Sequence, residues 1–201
     1  DPAAGGVTTG AVDGCDAVVN LAGSTISRRW SDEVKREIVS SRIDLTDRVV
    51  AAIGTDGPRT LVNASAVGYY GNREEQVDES ATAGSGFLAD VCRRWEASAR
   101  AAEAAGVRVV CLRTGIVLDA DGGALAQMLP PAKLGLGGPI AGGRQWFPWI
   151  HIDDAVGLVV LALDDIHWMD QASVALLEHL MPLVDQAPLL LQPGARPGRH
   201  Y

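Results

Sequence analysis

The chain has 201 residues, 47% of them hydrophobic, which is enough to bury a core and suits one domain, or one domain and a fragment. Its 17 basic and 25 acidic residues give a net charge of −8, which disfavours a nucleic-acid backbone or an anionic membrane surface as a partner. No apolar run reaches the length of a membrane span, and the first ten residues do not have the pattern of a signal peptide. We therefore expect neither nucleic acid nor membrane as a partner.

The first elements alternate between strand and helix. Residues 17–22 are a short apolar run of strand length, and residues 31–54 carry acids in the first turn and a glycine at the end, as one helix does. A second apolar strand is predicted at 59–65. The predicted helix carries an apolar stripe of Val34, Ile38, Leu45, Val49 and Ile53.

A polar, glycine-rich loop over 68–86 follows, of a length that usually carries function. Helical character returns at 87–105, and 107–118 is a third apolar strand. Strict alternation of apolar strands and helices predicts a parallel α/β sheet with helices on both faces. After residue 118, the sequence predicts a helix at 123–133, a short strand near 146–152 and a helix that begins at Asp153 or Asp154.

Polar or small residues follow all three predicted strands: Asn20 to Gly23 after the first, Ser65 with Tyr69 and Tyr70 at the second, and Arg113 to Gly115 at the third. Ligands of open parallel sheets bind outside the carboxyl ends of the strands. We therefore expect a cleft there, although a tight connection alone would also explain the residues after the first strand.

Arg42 falls on the apolar stripe of the first helix, where a charge is costly unless an anion meets it or the side chain reaches the helix edge. A carboxylate such as Glu37 or Asp16 is one possible partner. A ligand phosphate, which a guanidinium can hold at two points, is the other.

The three cysteines, Cys15, Cys92 and Cys111, are far apart and lack metal-binding or redox spacing. We expect reduced, mostly buried thiols and a cytoplasmic location. No metal site is predicted: His151, Asp153 and Asp154 lie together, but the acids are expected to cap the following helix.

The segments DAVVNLAG, RRW, SSR, SAVGYYG, RWE, LRTGIVL and LGLGGPI to WIHIDD closely resemble the epimerase-like family of atypical extended short-chain dehydrogenase/reductases, or NAD(P)-dependent epimerase/dehydratases. The match covers about 1–163. It implies a Rossmann fold that binds NADP(H) or NAD(H), with NADP(H) favoured, and a small-molecule substrate, a nucleotide sugar being one candidate. By analogy Arg144, Gln145 and Trp146 face the substrate. The resemblance implies that six residues contact the cofactor: Leu21, Ala22, Gly23, Glu37, Arg42 and Val117.

The sequence departs from this family in two respects. The first βαβ part, with the glycine fingerprint that holds the pyrophosphate, is absent, so an incomplete Rossmann fold is expected. The positions of the Tyr-x-x-x-Lys pair hold Leu88 and Cys92, which cannot do that acid–base work. Ser65 remains, and Tyr69 or Tyr70 could substitute, although packing at the loop base also explains the tyrosines.

We therefore expect a fragment of an NADP(H)-dependent oxidoreductase or sugar-nucleotide-epimerase-like enzyme, inactive alone, with Ser65 and Tyr69 as candidate catalytic residues. The alternative is a non-catalytic NADP(H)-binding or interaction protein.

Residues 164–201 form a second predicted segment, of different origin from the partial Rossmann domain at 1–163. An apolar run, two acids and a leucine-rich stretch resemble the Walker B region of a signalling ATPase, but no phosphate-binding loop occurs and ATPase activity is not expected. A helix at about 171–181 is expected to pack through Val174, Leu177 and Leu180.

Overall fold

A computed structural model describes residues 9–136, 138 and 146–164 of the chain. The predicted helix at 171–181 lies outside these ranges. The separate origin of 164–201 stays a prediction.

Three parallel strands form the centre of the described structure. They are β1 (Ala17–Asn20), β2 (Thr60–Ala66) and β3 (Arg108–Thr114), which lie side by side in that order. All three strands therefore end at the same edge of the sheet. The parallel arrangement predicted from the alternating pattern is confirmed.

The predicted helix at 31–54 is two helices, α1 (Asp32–Ser40) and α2 (Ile43–Ala51), so the single-helix prediction is wrong. Ser31 caps α1, since its hydroxyl accepts a hydrogen bond from the Val34 amide at 3.2 Å. At the other end, the Ser41 hydroxyl donates to the Ile38 carbonyl at 3.2 Å. Such side-chain bonds compete with the helical ones and favour a break at this point.

Helices cover both faces of the sheet. Leu61 of β2 is fully buried against Ala99 of α3 (Phe87–Arg100), in a cluster that α2 completes. Val62 points to the opposite face, because side chains alternate along a strand, and it too is fully buried. On that face, α5 (Ile152–Leu163) packs on β2 and β3, and Arg108 donates to the Ala162 carbonyl at 2.6 Å.

The predicted third strand at 107–118 is divided between two sheets. After β3, a separate strand β4 (Ile116–Asp119) pairs in parallel with β5 (Trp149–His151). Gly115 allows this division: a Cβ there would lie 2.7 Å from the Pro148 carbonyl oxygen. The single-strand prediction is therefore wrong at this point.

The remaining described elements agree with the sequence in type and place. A helix α4 (Gly123–Lys133) follows β4, and α3 continues into a 3₁₀ turn at Ala101–Ala105. The helix expected at Asp153 or Asp154 begins at Ile152. No helix in the described ranges has both the length and the apolar character that a membrane span requires.

Candidate functional site

Asn20, which ends β1, is buried and bonded within the protein. Its side-chain amide donates to Asn63 Oδ1 at 2.7 Å and to Thr46 Oγ1 at 2.9 Å, while its own oxygen accepts from the Ala22 amide at 3.3 Å. Asn20 therefore joins β1 to β2 and α2 and turns the chain at the strand end. The next residue, Leu21, is 63% exposed at the sheet edge.

Arg42 packs against Gly23 at the end of β1. A Cβ on Gly23 would lie 2.9 Å from the Arg42 Cζ, so only glycine lets the guanidinium lie this close. Arg42 donates to the carbonyls of Ser24 at 3.1 Å and Ile38 at 3.3 Å, and it lies over the Trp95 ring at 5.2 Å. Burial lowers the pKa of Arg42.

Neither predicted carboxylate neutralises Arg42. Glu37 pairs instead with Arg28, whose Nη2 lies 2.5 Å from Glu37 Oε2, and within the described ranges Arg42 forms no ion pair. The carboxylate interpretation is therefore wrong for both Glu37 and Asp16. Among the described residues, the contacts given for the Arg42 guanidinium are with carbonyl oxygens, the Ser41 hydroxyl and the Trp95 ring.

Four of the six predicted cofactor residues lie together, and the other two lie on separate elements. Leu21, Ala22, Gly23 and Arg42 lie together at the carboxyl end of β1. Glu37 is a half-exposed residue on α1, and Val117 lies on β4 opposite Ile150 of β5. Their contact with a cofactor stays a prediction.

A buried ion pair stands at the ends of β2 and β3. Ser65 and Arg113 are register partners on these strands, and both reach Glu96 of α3. The Ser65 hydroxyl donates to Glu96 Oε1 at 2.7 Å, and Arg113 donates to both carboxylate oxygens, at 2.7 and 2.8 Å. This bonding raises the pKa of Arg113, which therefore stays charged.

The two tyrosines contact the same arginine in different ways. The Arg113 guanidinium lies over the Tyr69 ring, 3.5 Å from its centre, while Nη1 donates to the Tyr70 hydroxyl at 3.0 Å. The rings meet edge to face. The structure thus brings Ser65 and both tyrosines together around Arg113 and Glu96.

The sequence reasoning missed Glu96. The signal was its position: Cys92, Trp95 and Ala99 on the same helix have buried side chains, so an acid among them needs a partner. Arg113, on the neighbouring strand, is that partner.

Leu88 and Cys92 pack below the end of β2. A Cβ on Gly68 would lie 3.6 Å from the Leu88 Cβ and 3.8 Å from the Cys92 Sγ. Burial raises the pKa of Cys92, so its thiol is neutral at physiological pH. The positions of the Tyr-x-x-x-Lys pair therefore hold two apolar packing residues.

His151 caps α5: its Nδ1 accepts from the Asp153 amide at 3.2 Å, and both acids lie in the first turn. The prediction that the acids themselves cap is corrected, because the imidazole does so. Within the described part of the chain, no three His, Cys, Asp or Glu residues are grouped as metal ligands.

A parallel sheet with polar residues at its strand ends is typical of α/β proteins that bind a ligand at that edge. The family model for the NAD dependent epimerase/dehydratase family matches residues 7–174, and the chain belongs to this family. The match extends past residue 163.

Among curated relatives, "Epimerase family protein SDR39U1 homolog, chloroplastic" of Arabidopsis thaliana is 51% identical over 157 residues, which cover 76% of this chain and 45% of the relative. Epimerase family protein MT2273 of Mycobacterium tuberculosis is 45% identical over 165 residues, covering 81% and 55%. The chain thus spans about half the length of the curated relatives it matches.

Solved structures show the same fold. Human epimerase family protein SDR39U1, crystallised with NADPH, is 39% identical with a TM-score of 0.70, covering 76% of this chain and 54% of that one. MoeE5 in complex with UDP-glucose and NAD has a TM-score of 0.66 at 21% identity, over 77% and 54%, a likeness that shows the fold alone. The described chain is therefore part of a Rossmann fold.

Proposed function

We propose that the chain is part of an NADP(H)-dependent oxidoreductase or sugar-nucleotide-epimerase-like enzyme. The observation that supports this most is Arg42: a partly buried guanidinium that forms no ion pair with a described residue and packs against a glycine at a strand end. The human relative that was crystallised with NADPH belongs to the same family.

The residues at the end of β1 fit such a cofactor. Ala22 has little side chain to keep a flat ligand from the backbone, Gly23 makes room for the Arg42 guanidinium, and Arg42 supplies a positive charge for a phosphate. Leu21 would contact the cofactor from the exposed side, with Glu37 and Val117 as further proposed contacts. Bound NADP(H) would supply or accept a hydride.

Ser65 and Tyr69 are the proposed catalytic residues, and the geometry limits what each can do. The Ser65 proton is directed to Glu96, so its hydroxyl can offer only a lone pair to a substrate. The Tyr69 ring packs on Arg113, whereas the Tyr70 hydroxyl accepts from Arg113 and keeps its own proton to donate. Tyr70 is therefore the alternative to Tyr69.

A non-catalytic NADP(H)-binding protein is the second candidate. The packing of Leu88 and Cys92 favours it, since the positions that carry acid–base chemistry in the wider superfamily are apolar and neutral. Stereospecific hydride exchange with labelled NADPH separates the two candidates, because a protein that only binds would show none.

We also propose a reducing compartment such as the cytoplasm. Cys15, Cys92 and Cys111 are all free thiols, and a reducing environment maintains that state.

A hybrid protein tests the cofactor proposal: the Arabidopsis relative with its matched segment replaced by this chain, so that the rest of the domain is present. NADPH titration followed by fluorescence should give binding that Arg42→Ala weakens by about 1–3 kcal/mol, the range for a lost charge-assisted hydrogen bond. Arg36→Ala is the matched control, since Arg36 is exposed on α1 and, within the described ranges, donates to the Asp32 carbonyl.

For the 201-residue chain alone we expect no measurable NADPH binding. Unchanged binding after Arg42→Ala in the hybrid, or equal loss with Arg36→Ala, would contradict the role given to Arg42.

A further inference from the structure

The two tyrosines that follow β2 contact one arginine in different ways. Both belong to a single 3₁₀ turn, Val67–Tyr70. The Arg113 guanidinium carbon lies 3.5 Å from the centre of the Tyr69 ring but 5.1 Å from that of the Tyr70 ring, and Nη1 donates to the Tyr70 hydroxyl at 3.0 Å. Tyr69 therefore contacts the guanidinium through its ring, whereas Tyr70 presents its oxygen to it.

Glu96 fixes which nitrogen of Arg113 faces Tyr70. Its carboxylate accepts from Nε at 2.7 Å and from Nη2 at 2.8 Å, while Nη1 points to the Tyr70 hydroxyl and to the Glu79 carbonyl, 3.4 Å away. A two-point contact of this kind defines the direction of a planar guanidinium. Ser65 donates to the same carboxylate, so β2, β3 and α3 hold the arrangement together.

The arrangement leaves Tyr70 with a proton to donate. A phenol oxygen that accepts from a guanidinium keeps its own O–H, and Arg113 stays charged at physiological pH. When the phenol proton leaves, negative charge develops on the oxygen, and the bond from Arg113 becomes stronger because both of its partners are then charged.

Arg113 and Tyr70 thus bring together the two groups that the Tyr-x-x-x-Lys pair supplies in the wider superfamily. That pair places a phenol and a fixed positive charge on one helix, at positions that hold Leu88 and Cys92 in this chain. Here the phenol comes from the turn after β2 and the charge from β3.

Tyr70 also lies between the proposed cofactor side and the expected substrate side. Its turn follows β2, the neighbour of β1, whose end is the proposed cofactor site. Trp146, expected by analogy to face the substrate, donates to the carbonyl of Glu74, on the loop that leaves Tyr70, at 3.3 Å. Arg144 and Gln145, expected on the same side, lie outside the described residues.

We infer that Tyr70 is the proton donor of this site and that Arg113 and Glu96 are the residues that position it. The substrate is accordingly a carbonyl compound. Its oxygen takes the Tyr70 proton while its carbon takes a hydride from reduced nicotinamide, so that C=O becomes an alcohol, and the phenolate regains a proton from water. The inference rests on the proposed function for the source of the hydride.

The reactivity of the phenols in the 201-residue chain tests this assignment without cofactor. With benzenesulfonyl fluoride, a phenol oxygen attacks sulfur: the S–O bond forms, fluoride leaves, and the phenol proton passes to solvent. Because Arg113 supports charge on the attacking oxygen, Tyr70 should be modified about tenfold faster than Tyr69. Peptide mass spectrometry measures both rates.

Variants of the ion pair separate positioning from stability. Arg113→Met should slow the modification of Tyr70 by about 10- to 100-fold, the range of a charge-assisted hydrogen bond, and Arg113→Lys should recover part of the rate. Glu96→Gln should also slow it, although Glu96 does not bond to Tyr70. Partial unfolding would instead expose both tyrosines and raise the rate of Tyr69.

Asn20→Ala is the matched control. It removes buried hydrogen bonds to Asn63 and Thr46 and leaves Arg113 and its partners in place, so the rate at Tyr70 should not change.

Hydride exchange in the hybrid protein gives a second measurement. Tyr70→Phe should lower the exchange rate by about 10²–10⁴-fold, the contribution of a general acid, while NADPH binding persists. Tyr69→Phe keeps the ring on Arg113 and should lower the rate less.

Three labelling results would overturn the assignment: Tyr69 modified as fast as Tyr70, an unchanged Tyr70 rate in Arg113→Met, or no modification of either tyrosine. If Arg113→Met does not fold, Arg113→Lys and the two rates in the unsubstituted chain still decide. Equal loss of exchange with Tyr69→Phe and Tyr70→Phe would also overturn it. If the hybrid binds no NADPH while Tyr70 still reacts first, the proposed function fails and the assignment of Tyr70 stands.

Discussion

Glu96 and Arg113 form a two-point ion pair at the centre of the candidate site. Arg113 Nε lies 2.7 Å from Glu96 Oε1, and Nη2 lies 2.8 Å from Oε2, with side chains 15% and 5% exposed respectively. The pair fixes α3 to the end of β3, and Ser65 adds β2 to the same carboxylate. Three elements therefore depend on one buried acid.

Removal of one partner of this pair should destabilise the chain more than removal of both. Glu96→Ala leaves the Arg113 charge buried without its anion, for which we expect a loss of about 3–5 kcal/mol in the free energy of unfolding. Adding Arg113→Met removes the uncompensated charge, so the double variant should be more stable than Glu96→Ala. Urea unfolding of the single and double variants measures this, and strictly additive losses would contradict the coupling.

The parallel sheet could be predicted from sequence because its strands are short, apolar and separated by helical patterns. The strand ends could be predicted for the same reason: parallel strands end at one edge, which brings Gly23, Ser65 and Arg113 to the same side of the sheet. The pairings among these side chains could not. Whether Arg42 meets a carboxylate or a carbonyl depends on tertiary distances that a helical stripe does not contain.

The errors at 31–54 and 107–118 have local causes that one sequence hides. Apolar periodicity continues through Ser41 and Arg42, so a break produced by serine hydroxyls is invisible to it. Similarly, Gly115 within an apolar run does not indicate that the Pro148 backbone lies against it, at the point where the chain leaves one sheet for the other.

The buried side chain of Asn20 should contribute to the stability of the fold. Asn20→Ala leaves the Asn63 oxygen and the Ala22 amide without their partners, for which we expect a loss of about 1–3 kcal/mol. Asn72→Ala, at an exposed position, is the control and should change stability by less than about 0.5 kcal/mol. Chemical denaturation measures both. A stable Asn20→Ala chain would mean that the buried amide network around Thr46 is not what fixes the end of β1.

Gly84 should tolerate no side chain. Its Cβ would lie 2.1 Å from the Tyr70 carbonyl oxygen, and its amide donates to the Tyr69 carbonyl at 2.9 Å. Gly84→Ala must therefore push the loop away from the tyrosines, at a cost of about 1–3 kcal/mol. Gly122→Ala is the matched control, since nothing lies within 4 Å of its Cβ and its backbone is extended. Tyrosine ring signals in NMR should shift in Gly84→Ala and stay in place in the control.

The thiols should make stability fall in alkali. Burial raises the pKa of Cys111 to about 11 from an ordinary value of 9.0 and also raises that of Cys92, so the folded chain retains protons that the unfolded chain has lost. Between about pH 9 and pH 11 the unfolded state therefore binds fewer protons, and the free energy of unfolding decreases as pH rises.

Well below pH 9, Cys111 is a thiol in both states and contributes no pH dependence. Denaturation midpoints measured from pH 8 to pH 11 should show a shallower decline in Cys111→Ala than in the unsubstituted chain.

Cys15 is the control, because it is exposed whereas Cys92 is buried and Cys111 half-buried. The expectation of mostly buried thiols therefore does not hold for Cys15. Cys15→Ser should leave the alkaline slope unchanged, and iodoacetamide should label Cys15 first in the folded chain because the thiolate is the reacting form and must be accessible. An unchanged slope in Cys111→Ala, or labelling of Cys111 as fast as Cys15, would show that the strand β3 thiol is not shielded by the packing of α3 on the sheet.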